Sequence, residues 1–226
     1  MNQVALITGA AGGLGQSIAH KLAEEGWSLV VVSRDKDRLQ QAYGNEHLQI
    51  VADCSTSAGA RQILAEAKAA GMQPTALAHC AGNIRLGALH RMVDADFSAC
   101  LEANLVSAFH TLAAFIGGLR ESNLPGAAVL VSSVAAQIGT PNHEAVAAAK
   151  AGVEGLARGA AATYAPYGIR VNVVAPGIMD SPATEKILGA TAAREAAARQ
   201  YPLSGVGTTD ELADLMSWLL SERSKR

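Results

Sequence analysis

Aromatic residues, cysteines and excess charge are all scarce in this sequence. Aromatics make up 4% of the 226 residues, and the formal net charge is −2. The three cysteines, Cys54, Cys80 and Cys100, show neither disulfide-like nor metal-ligand spacing. Such a sparse, odd cysteine count fits a reducing cytoplasm rather than a disulfide framework. The nearly balanced charge argues against nucleic-acid binding, and we expect no metal site.

Long apolar runs and targeting signals are also missing. No stretch reaches the roughly 18 consecutive apolar residues of a membrane span. The N-terminus, MNQVALITGAAGGLG, lacks the basic region of a signal peptide, and it becomes glycine-rich where the apolar core of one would continue. We therefore expect a soluble cytoplasmic protein that has no membrane partner.

The sequence does contain a regular alternation of short aliphatic runs with longer helical patterns. Apolar runs of this kind are typical of parallel strands that are buried on both faces. The alternation predicts an α/β fold: a Rossmann-type, doubly wound parallel sheet with three layers, in a single domain spanning 1–226. The segment 176–202 interrupts the alternation and is expected to be a lid or substrate loop. Predicted strands are 4–8, 29–33, 48–52, 76–80, 128–132 and 170–174, and predicted helices are 15–25, 57–70, 94–120, 145–164 and 209–220.

A glycine cluster joins the first predicted strand to the first helix. It reads Thr8-Gly9-Ala10-Ala11-Gly12-Gly13-Leu14-Gly15. Glycines let backbone N–H groups approach a pyrophosphate, and the helix N-terminus adds a partial positive charge. The alternative is an ordinary tight turn between a strand and a helix. The position after the first strand of a βαβ unit favours dinucleotide binding.

The spacing Gly9, Gly13, Gly15 resembles that of the short-chain dehydrogenase/reductase family, classical type. The resemblance continues along nearly the whole chain, through His79-Cys80-Ala81-Gly82 (usually Asn-Asn-Ala-Gly), Asn104, Ser132-Ser133 and Pro176-Gly177. It implies an adenine contact at Asp53 and a carboxamide contact near Ser181. Members usually continue into a further strand, so we expect this sheet to lack its last strand. The implied cofactor-binding residues are Thr8, Gly9, Gly13, Leu14, Gly15, Ser33, Arg34, Asp53, Cys54, Cys80, Ala81, Gly82, Lys150, Pro176, Gly177, Met179 and Ser181.

The end of the second strand indicates which nicotinamide cofactor is bound. A carboxylate there usually holds the ribose 2′-hydroxyl of NAD, whereas a cation suits the 2′-phosphate of NADP. This chain has Arg34 directly after Ser33, and a guanidinium can meet a phosphate with two parallel hydrogen bonds. NADP is therefore favoured over NAD. The alternative is a surface arginine that pairs with Asp35 or Asp37.

A lone lysine, Lys150, lies close to the apolar line of helix 145–164. It either extends past the alanines to solvent or is an ammonium placed in a site. The resemblance favours the second reading. It implies a Tyr-x-x-x-Lys pair with an upstream serine, in which lysine holds the nicotinamide ribose and lowers the tyrosine pKa, and serine orients the substrate oxygen. Lys150 and Ser133 match that pattern, but Val146 stands in the tyrosine position.

Because valine cannot carry a proton, we expect a weakened or atypical oxidoreductase. Loss of a general acid or base typically costs about 10²–10⁴-fold in rate. His143 could replace the tyrosine, or it could be a loop histidine with no special task. Asn104 could brace a water relay, or it could be an interior asparagine with local hydrogen bonds.

The sequence therefore predicts an NADP(H)-dependent oxidoreductase that acts on a small carbonyl or hydroxyl compound. Two alternatives stay open, and both follow from Val146. One is a non-catalytic NADP(H)-binding protein that serves as a sensor or partner subunit, and the other is an engineered Tyr-to-Val variant. The close-packing alanine-rich helices, together with the resemblance, imply a homodimer or homotetramer.

Overall fold

Six parallel strands form the central sheet of this computed structural model, which describes residues 3–203 and 205–225. They are β1 (Val4–Thr8), β2 (Ser28–Ser33), β3 (Leu48–Val51), β4 (Ala76–His79), β5 (Gly126–Val131) and β6 (Ile169–Val174). Their order in the sheet is β3-β2-β1-β4-β5-β6. The winding direction reverses between β1 and β4, and such a reversal opens a crevice at the carboxyl ends of the strands. In the described part of the chain, β6 is an edge strand.

Helices cover both faces of this sheet. Ile18 and Met216 pack with Ile7 on one face, whereas Phe115 packs in the cluster of Leu6 on the other. Adjacent strand residues thus enter opposite layers, which is why the strands are apolar throughout. The helices are α1 (Gly13–Glu24), α2 (Lys36–Tyr43), α3 (Ser57–Ala69), α4 (Asp94–Leu101), α5 (Ser107–Glu121), α6 (Glu144–Tyr164), α7 (Glu185–Leu188), α8 (Thr191–Ala198) and α9 (Thr209–Leu220).

The predicted doubly wound fold is confirmed, and its six strands lie within two residues of the predicted bounds. Helix α2 was not predicted, because Leu39 and Tyr43 are its only buried side chains and the rest of it is strongly polar. Its start did carry a signal: Asp35 caps the helix by accepting a hydrogen bond from the Arg38 N–H at 3.1 Å.

The predicted helix 94–120 is interrupted in the middle. A π-helical turn, Glu102–Val106, separates α4 from α5, and it contains Asn104. By length and composition the run Asp94–Glu121, which contains an 18-residue window of mean hydropathy 1.4, could cross a membrane. Its buried face, which includes Phe115, nevertheless packs against the sheet as that of a core helix does.

The segment 176–202 folds over the same edge of the sheet. It contains α7, α8 and a two-residue strand, β7 (Met179–Asp180), which pairs with β8 (Gly207–Thr208) just before α9. Arg194 of α8 donates two hydrogen bonds to Asp180, at 2.8 and 2.9 Å. The Tyr201 hydroxyl accepts a hydrogen bond from the Ile178 N–H at 2.6 Å. The two hydrogen-bonded contacts hold the segment together internally, and the pairing of β7 with β8 ties it to the start of α9.

Candidate active site

The glycine turn after β1 is shaped by close backbone approach. Gly9 has a φ of 65°, and a Cβ there would lie 2.7 Å from backbone atoms of Cys80 and Ala81. A Cβ at Gly15 would lie 2.3 Å from the Gly9 carbonyl oxygen. The N-cap of α1, Gly12, has no side chain to satisfy the first N–H groups of the helix. These N–H groups are therefore available to an anion such as a pyrophosphate.

Two side chains of α2 stabilise the glycine turn through hydrogen bonds to its backbone. The Tyr43 hydroxyl donates a hydrogen bond to the Ala10 carbonyl at 2.7 Å, and the Arg38 guanidinium donates one to the Ala11 carbonyl at 2.8 Å. Burial raises the pKa of Tyr43, so its hydroxyl keeps its proton. The sequence reading missed both residues because it missed α2.

The end of β2 presents an exposed arginine. The Arg34 guanidinium lies within 4.0 Å of neither the Asp35 nor the Asp37 carboxylate in the described chain, so the alternative surface pairing is not formed. Burial of Asp53 opposes its ionisation, but hydrogen bonds from Ser55 and the Arg34 charge together lower its pKa. The guanidinium and the Asp53 carboxylate therefore share the edge where the resemblance places the adenosine. The adjacent Cys54 side chain is buried in the core.

His79 occupies the floor of the crevice, and it is 2% exposed. Its Nε2 lies 3.1 Å from the Ser107 hydroxyl, which donates its own proton to the Ala103 carbonyl at 2.7 Å. Ser107 must therefore accept from Nε2–H, and Nδ1 must accept from the Thr8 hydroxyl at 2.8 Å. Burial lowers the pKa of His79 to about 3, which keeps the ring neutral. This relay links the glycine turn to the π-helical turn.

Lys150 is buried and does not extend to solvent, so that reading of the sequence is wrong. Its ammonium donates a hydrogen bond to the Val131 carbonyl at 2.8 Å, at the end of β5. Burial lowers the pKa of Lys150 to about 8. Gly82 lies beside this nitrogen, because a Cβ added there would be 3.5 Å from it, at ordinary van der Waals distance.

Asn104 lies beside Lys150 with a polar atom that has no partner in the described structure. Its Nδ2 donates to the Cys100 carbonyl at 2.9 Å and to Asn83 at 3.1 Å, whereas its buried Oδ1 accepts no hydrogen bond. A Cβ at Gly82 would lie 2.6 Å from that oxygen. An unsatisfied buried acceptor facing a glycine cradle fits a site that a ligand or water completes. The Asn83 contact was not anticipated from the sequence.

The catalytic end of the site has a serine and a histidine but no phenol. The Ser133 hydroxyl accepts a hydrogen bond from the Ala135 N–H at 3.2 Å, so its own proton can be donated to a substrate oxygen. His143 is the N-cap of α6, and its Nδ1 donates to the Pro141 carbonyl at 2.8 Å. Val146 is 5% exposed and packs against Met92 and Cys100.

The loop after β6 completes the crevice opposite the glycine turn. A Cβ at Gly13 would lie 2.9 Å from Pro182 and 3.5 Å from Ser181. A Cβ at Gly177 would lie 2.3 Å from the Tyr201 hydroxyl. The segment 176–202 therefore closes directly over the turn. The remaining predicted contacts here, Pro176 and Met179, are half-buried along the same loop.

Most of the predicted site residues lie at or just after the carboxyl ends of the six strands, whereas Asn104, His143 and Lys150 come from helical elements. The uncapped helix N-terminus, the Gly82 cradle and the orphaned Asn104 oxygen fit a bound dinucleotide. Glu154 of α6 also lies near the crevice, because its side chain is 12% exposed and accepts a hydrogen bond from Ser132 at 2.9 Å. The same carboxylate pairs with Arg158, one turn along the helix. Within residues 3–203 and 205–225, no group of three His, Cys, Asp or Glu side chains is arranged to hold a metal.

Comparison with known proteins agrees with this geometry. A family model described as enoyl-(acyl carrier protein) reductase matches residues 9–226. The (3R)-3-hydroxyacyl-CoA dehydrogenase of Mus musculus is 31% identical over 235 residues, covering 98% of this chain and 90% of the relative. The 3-oxoacyl-[acyl-carrier-protein] reductase FabG of Staphylococcus aureus is 31% identical over 233 residues, covering 100% of this chain and 93% of the relative.

Solved structures share the fold over the whole chain. An oxidoreductase of the short-chain dehydrogenase/reductase family from Burkholderia thailandensis is 30% identical with a TM-score of 0.90, covering 100% of this chain and 88% of its own. NADP-bound ElxO has a TM-score of 0.91 at 23% identity, covering 100% of this chain and 94% of its own. At that identity the second likeness supports the fold alone.

Proposed function

The chain belongs to the short-chain dehydrogenase/reductase family of oxidoreductases, and we propose that it is an NADP(H)-dependent member with altered proton chemistry that acts on a small carbonyl or hydroxyl compound. The observation that carries the proposal is the joint placement of Lys150, Asn104 and Gly82 at the crevice. The exposed Arg34 at the end of β2 supports the phosphorylated cofactor. Hydroxyacyl and oxoacyl substrates in the names of the relatives support a hydroxyl–carbonyl pair.

The chain itself supplies binding and orientation. When bound, NADP(H) supplies or accepts the hydride. Lys150 uses one N–H on Val131, which leaves two donors for the ribose hydroxyls of the cofactor. With a pKa of about 8, its ammonium form predominates at neutral pH. Ser133 donates its proton to the substrate oxygen and so orients the carbonyl.

Proton transfer is the step in which this site differs from one that contains the Tyr-x-x-x-Lys pair. Val146 is apolar and buried, so no side chain at that position can supply or remove a proton. We propose that His143, or a water beside it, exchanges the proton with the substrate oxygen. Because His143 donates from Nδ1 to Pro141, its Nε2 carries the lone pair that accepts a proton. A less well-placed acid lowers the rate relative to a tyrosine-bearing site.

The second candidate function is non-catalytic NADP(H) binding, which Val146 specifically favours. The phosphate turn, Arg34 and Lys150 would act identically in both cases. Position 146 therefore separates the two functions, whereas cofactor affinity does not.

The test measures NADPH consumption with a panel of small ketones, after calorimetry has established cofactor binding. We expect slow turnover by the natural chain and a rate higher by about 10²-fold or more for Val146→Tyr, since a phenol four residues before Lys150 restores a general acid. Val146→Leu is the matched control, because it also disturbs packing against Met92 but adds no acid, and it should gain nothing. Loss of slow turnover in His143→Ala assigns the proton to that imidazole, and an unchanged rate assigns it to water.

Two results would count against the proposal. Activity confined to Val146→Tyr would favour the non-catalytic binder. An absence of heat with both NADPH and NADH would contradict either dinucleotide-dependent function. We also propose that the protein is cytoplasmic and homo-oligomeric, with exposed side chains of α4 and α5 at the contact between copies.

A further inference from the structure

A cavity of about 430 Å³ opens beside the candidate catalytic residues, within the loop after β4. Its volume falls in the range of small-molecule sites, and its lining combines apolar side chains with polar and charged ones. The lining residues are Asn83, Ile84, Arg85, Leu86, Gly87, Arg91, Met92 and Asp96.

Three contacts connect this cavity to the catalytic end of the crevice. Asn83 accepts a hydrogen bond from the Asn104 amide at 3.1 Å. Met92 packs against Val146. The Gly87 N–H donates to the carbonyl of Asn142, the residue before His143, at 3.1 Å. A molecule in the cavity would therefore lie near Asn104, near the cluster that contains Val146, and near the residue before His143.

The lining carries one positive charge that no carboxylate compensates. Arg85 donates to Asp96 at 2.6 Å, and this pair is internally neutral. The Arg91 side chain forms no ion pair or side-chain hydrogen bond within the described chain. Around it lie the partly exposed apolar side chains of Ile84 and Leu86. The cavity therefore combines the guanidinium of Arg91 with an apolar wall formed by Ile84 and Leu86.

We propose that this cavity is the substrate site and that Arg91 binds a carboxylate, so that the substrate is a short-chain oxo acid or hydroxy acid with an unesterified acid group. The inference rests on the proposed oxidoreductase function and specifies its substrate class. A guanidinium matches a carboxylate with two parallel charge-assisted hydrogen bonds. The apolar wall accommodates the short carbon chain, and Asn83 and Met92 place its oxygen-bearing carbon toward the catalytic end.

The test compares 3-hydroxybutyrate with its methyl ester, which keeps the size and removes the charge. Calorimetry on the NADP-saturated protein should show tighter binding of the acid, on the order of tenfold or more. Arg91→Gln should abolish this preference, and Arg91→Lys should retain part of it, because the charge stays and the fork is lost. Arg61→Gln, which alters an exposed arginine of α3, is the matched control and should keep the full preference. Thermal unfolding checks that each variant is folded.

Equal binding of acid and ester by the natural chain would overturn the proposal, as would a preference that survives in Arg91→Gln. Tighter binding of a 3-oxoacyl-pantetheine probe that is insensitive to Arg91 would overturn it in favour of a carrier-bound acyl substrate. NADPH is titrated separately into every variant. If none binds the cofactor, the proposed function fails, whereas Arg91-dependent binding of the acid to the protein alone would still support the anion site.

Discussion

His79 is a residue whose burial has a measurable consequence. It bridges the Thr8 and Ser107 hydroxyls as a neutral ring, and burial lowers its pKa from 6.5 to about 3. In the unfolded chain the same ring gains a proton near pH 6.5. Proton uptake therefore favours the unfolded state as the pH falls, and the stabilisation from His79 is complete above pH 6.5 and is lost progressively toward pH 3.

We predict that acidification destabilises the protein partly through His79. Between pH 7 and pH 5 this one group should remove about 2 kcal/mol from the free energy of unfolding. In His79→Asn that part of the loss should disappear, which denaturant unfolding at the two pH values can measure. His90→Asn removes an exposed histidine and should retain the loss. An equally steep loss in His79→Asn would show that other groups dominate.

Lys150 shows how far reasoning about single residues extends. The sequence placed it on the apolar side of α6, but spacing alone could not distinguish a buried ammonium from one that reaches water. The carbonyl of Val131 at 2.8 Å decides the question, because it satisfies one donor inside the protein. Glu154 shows the same limit. Its carboxylate accepts a hydrogen bond from Ser132, which lies outside α6, and the spacing of residues along one helix cannot reveal such a partner.

At the scale of elements, the end of β2 and the start of α2 carry two arginines with different tasks. Arg38 donates to the carbonyl of Ala11 and thereby supports the glycine turn. Arg34 precedes the helix, is exposed, and lies near Asp53. Arg38 therefore supports the glycine turn, whereas Arg34 is available to a ligand.

We predict that Arg34→Ala weakens NADPH binding by about tenfold or more, because a charge-assisted hydrogen bond to the 2′-phosphate is lost. NADH affinity should be unchanged, since NADH lacks that phosphate. Arg38→Ala should instead weaken both cofactors together, because the turn that receives the pyrophosphate loses its support. Calorimetric titration of both variants with both cofactors provides the comparison. An equal loss of NADPH and NADH binding in Arg34→Ala would contradict the assignment of NADP specificity.

At the scale of the whole molecule, α4 and α5 leave aromatic side chains in solvent. Phe97 of α4 is 37% exposed, and Phe109 of α5 is 50% exposed. We propose that a second copy of the chain covers these two side chains, since the protein has few aromatic residues and two of its phenylalanines are exposed on successive helices.

We predict that Phe97→Asp with Phe109→Asp converts a homo-oligomer into smaller species, since each added carboxylate would lose its hydration in the interface. Analytical ultracentrifugation measures the change in mass. Leu215→Asp on α9, where the leucine is 47% exposed, is the matched control and should leave the mass unchanged. A natural chain that sediments as a monomer would refute the oligomer.

The sequence by itself determined the layer architecture, the glycine turn and the absence of a phenol at position 146, because periodicity, backbone permissiveness and residue identity are local properties. It missed α2, since a short polar helix with two buried residues has almost no apolar stripe. Only the tertiary structure decided the His79 relay, the orphaned Asn104 oxygen and the cavity at Arg91. Each of these depends on which groups distant in sequence become neighbours when parallel strands end at one edge, and no spacing along a single chain encodes that distance.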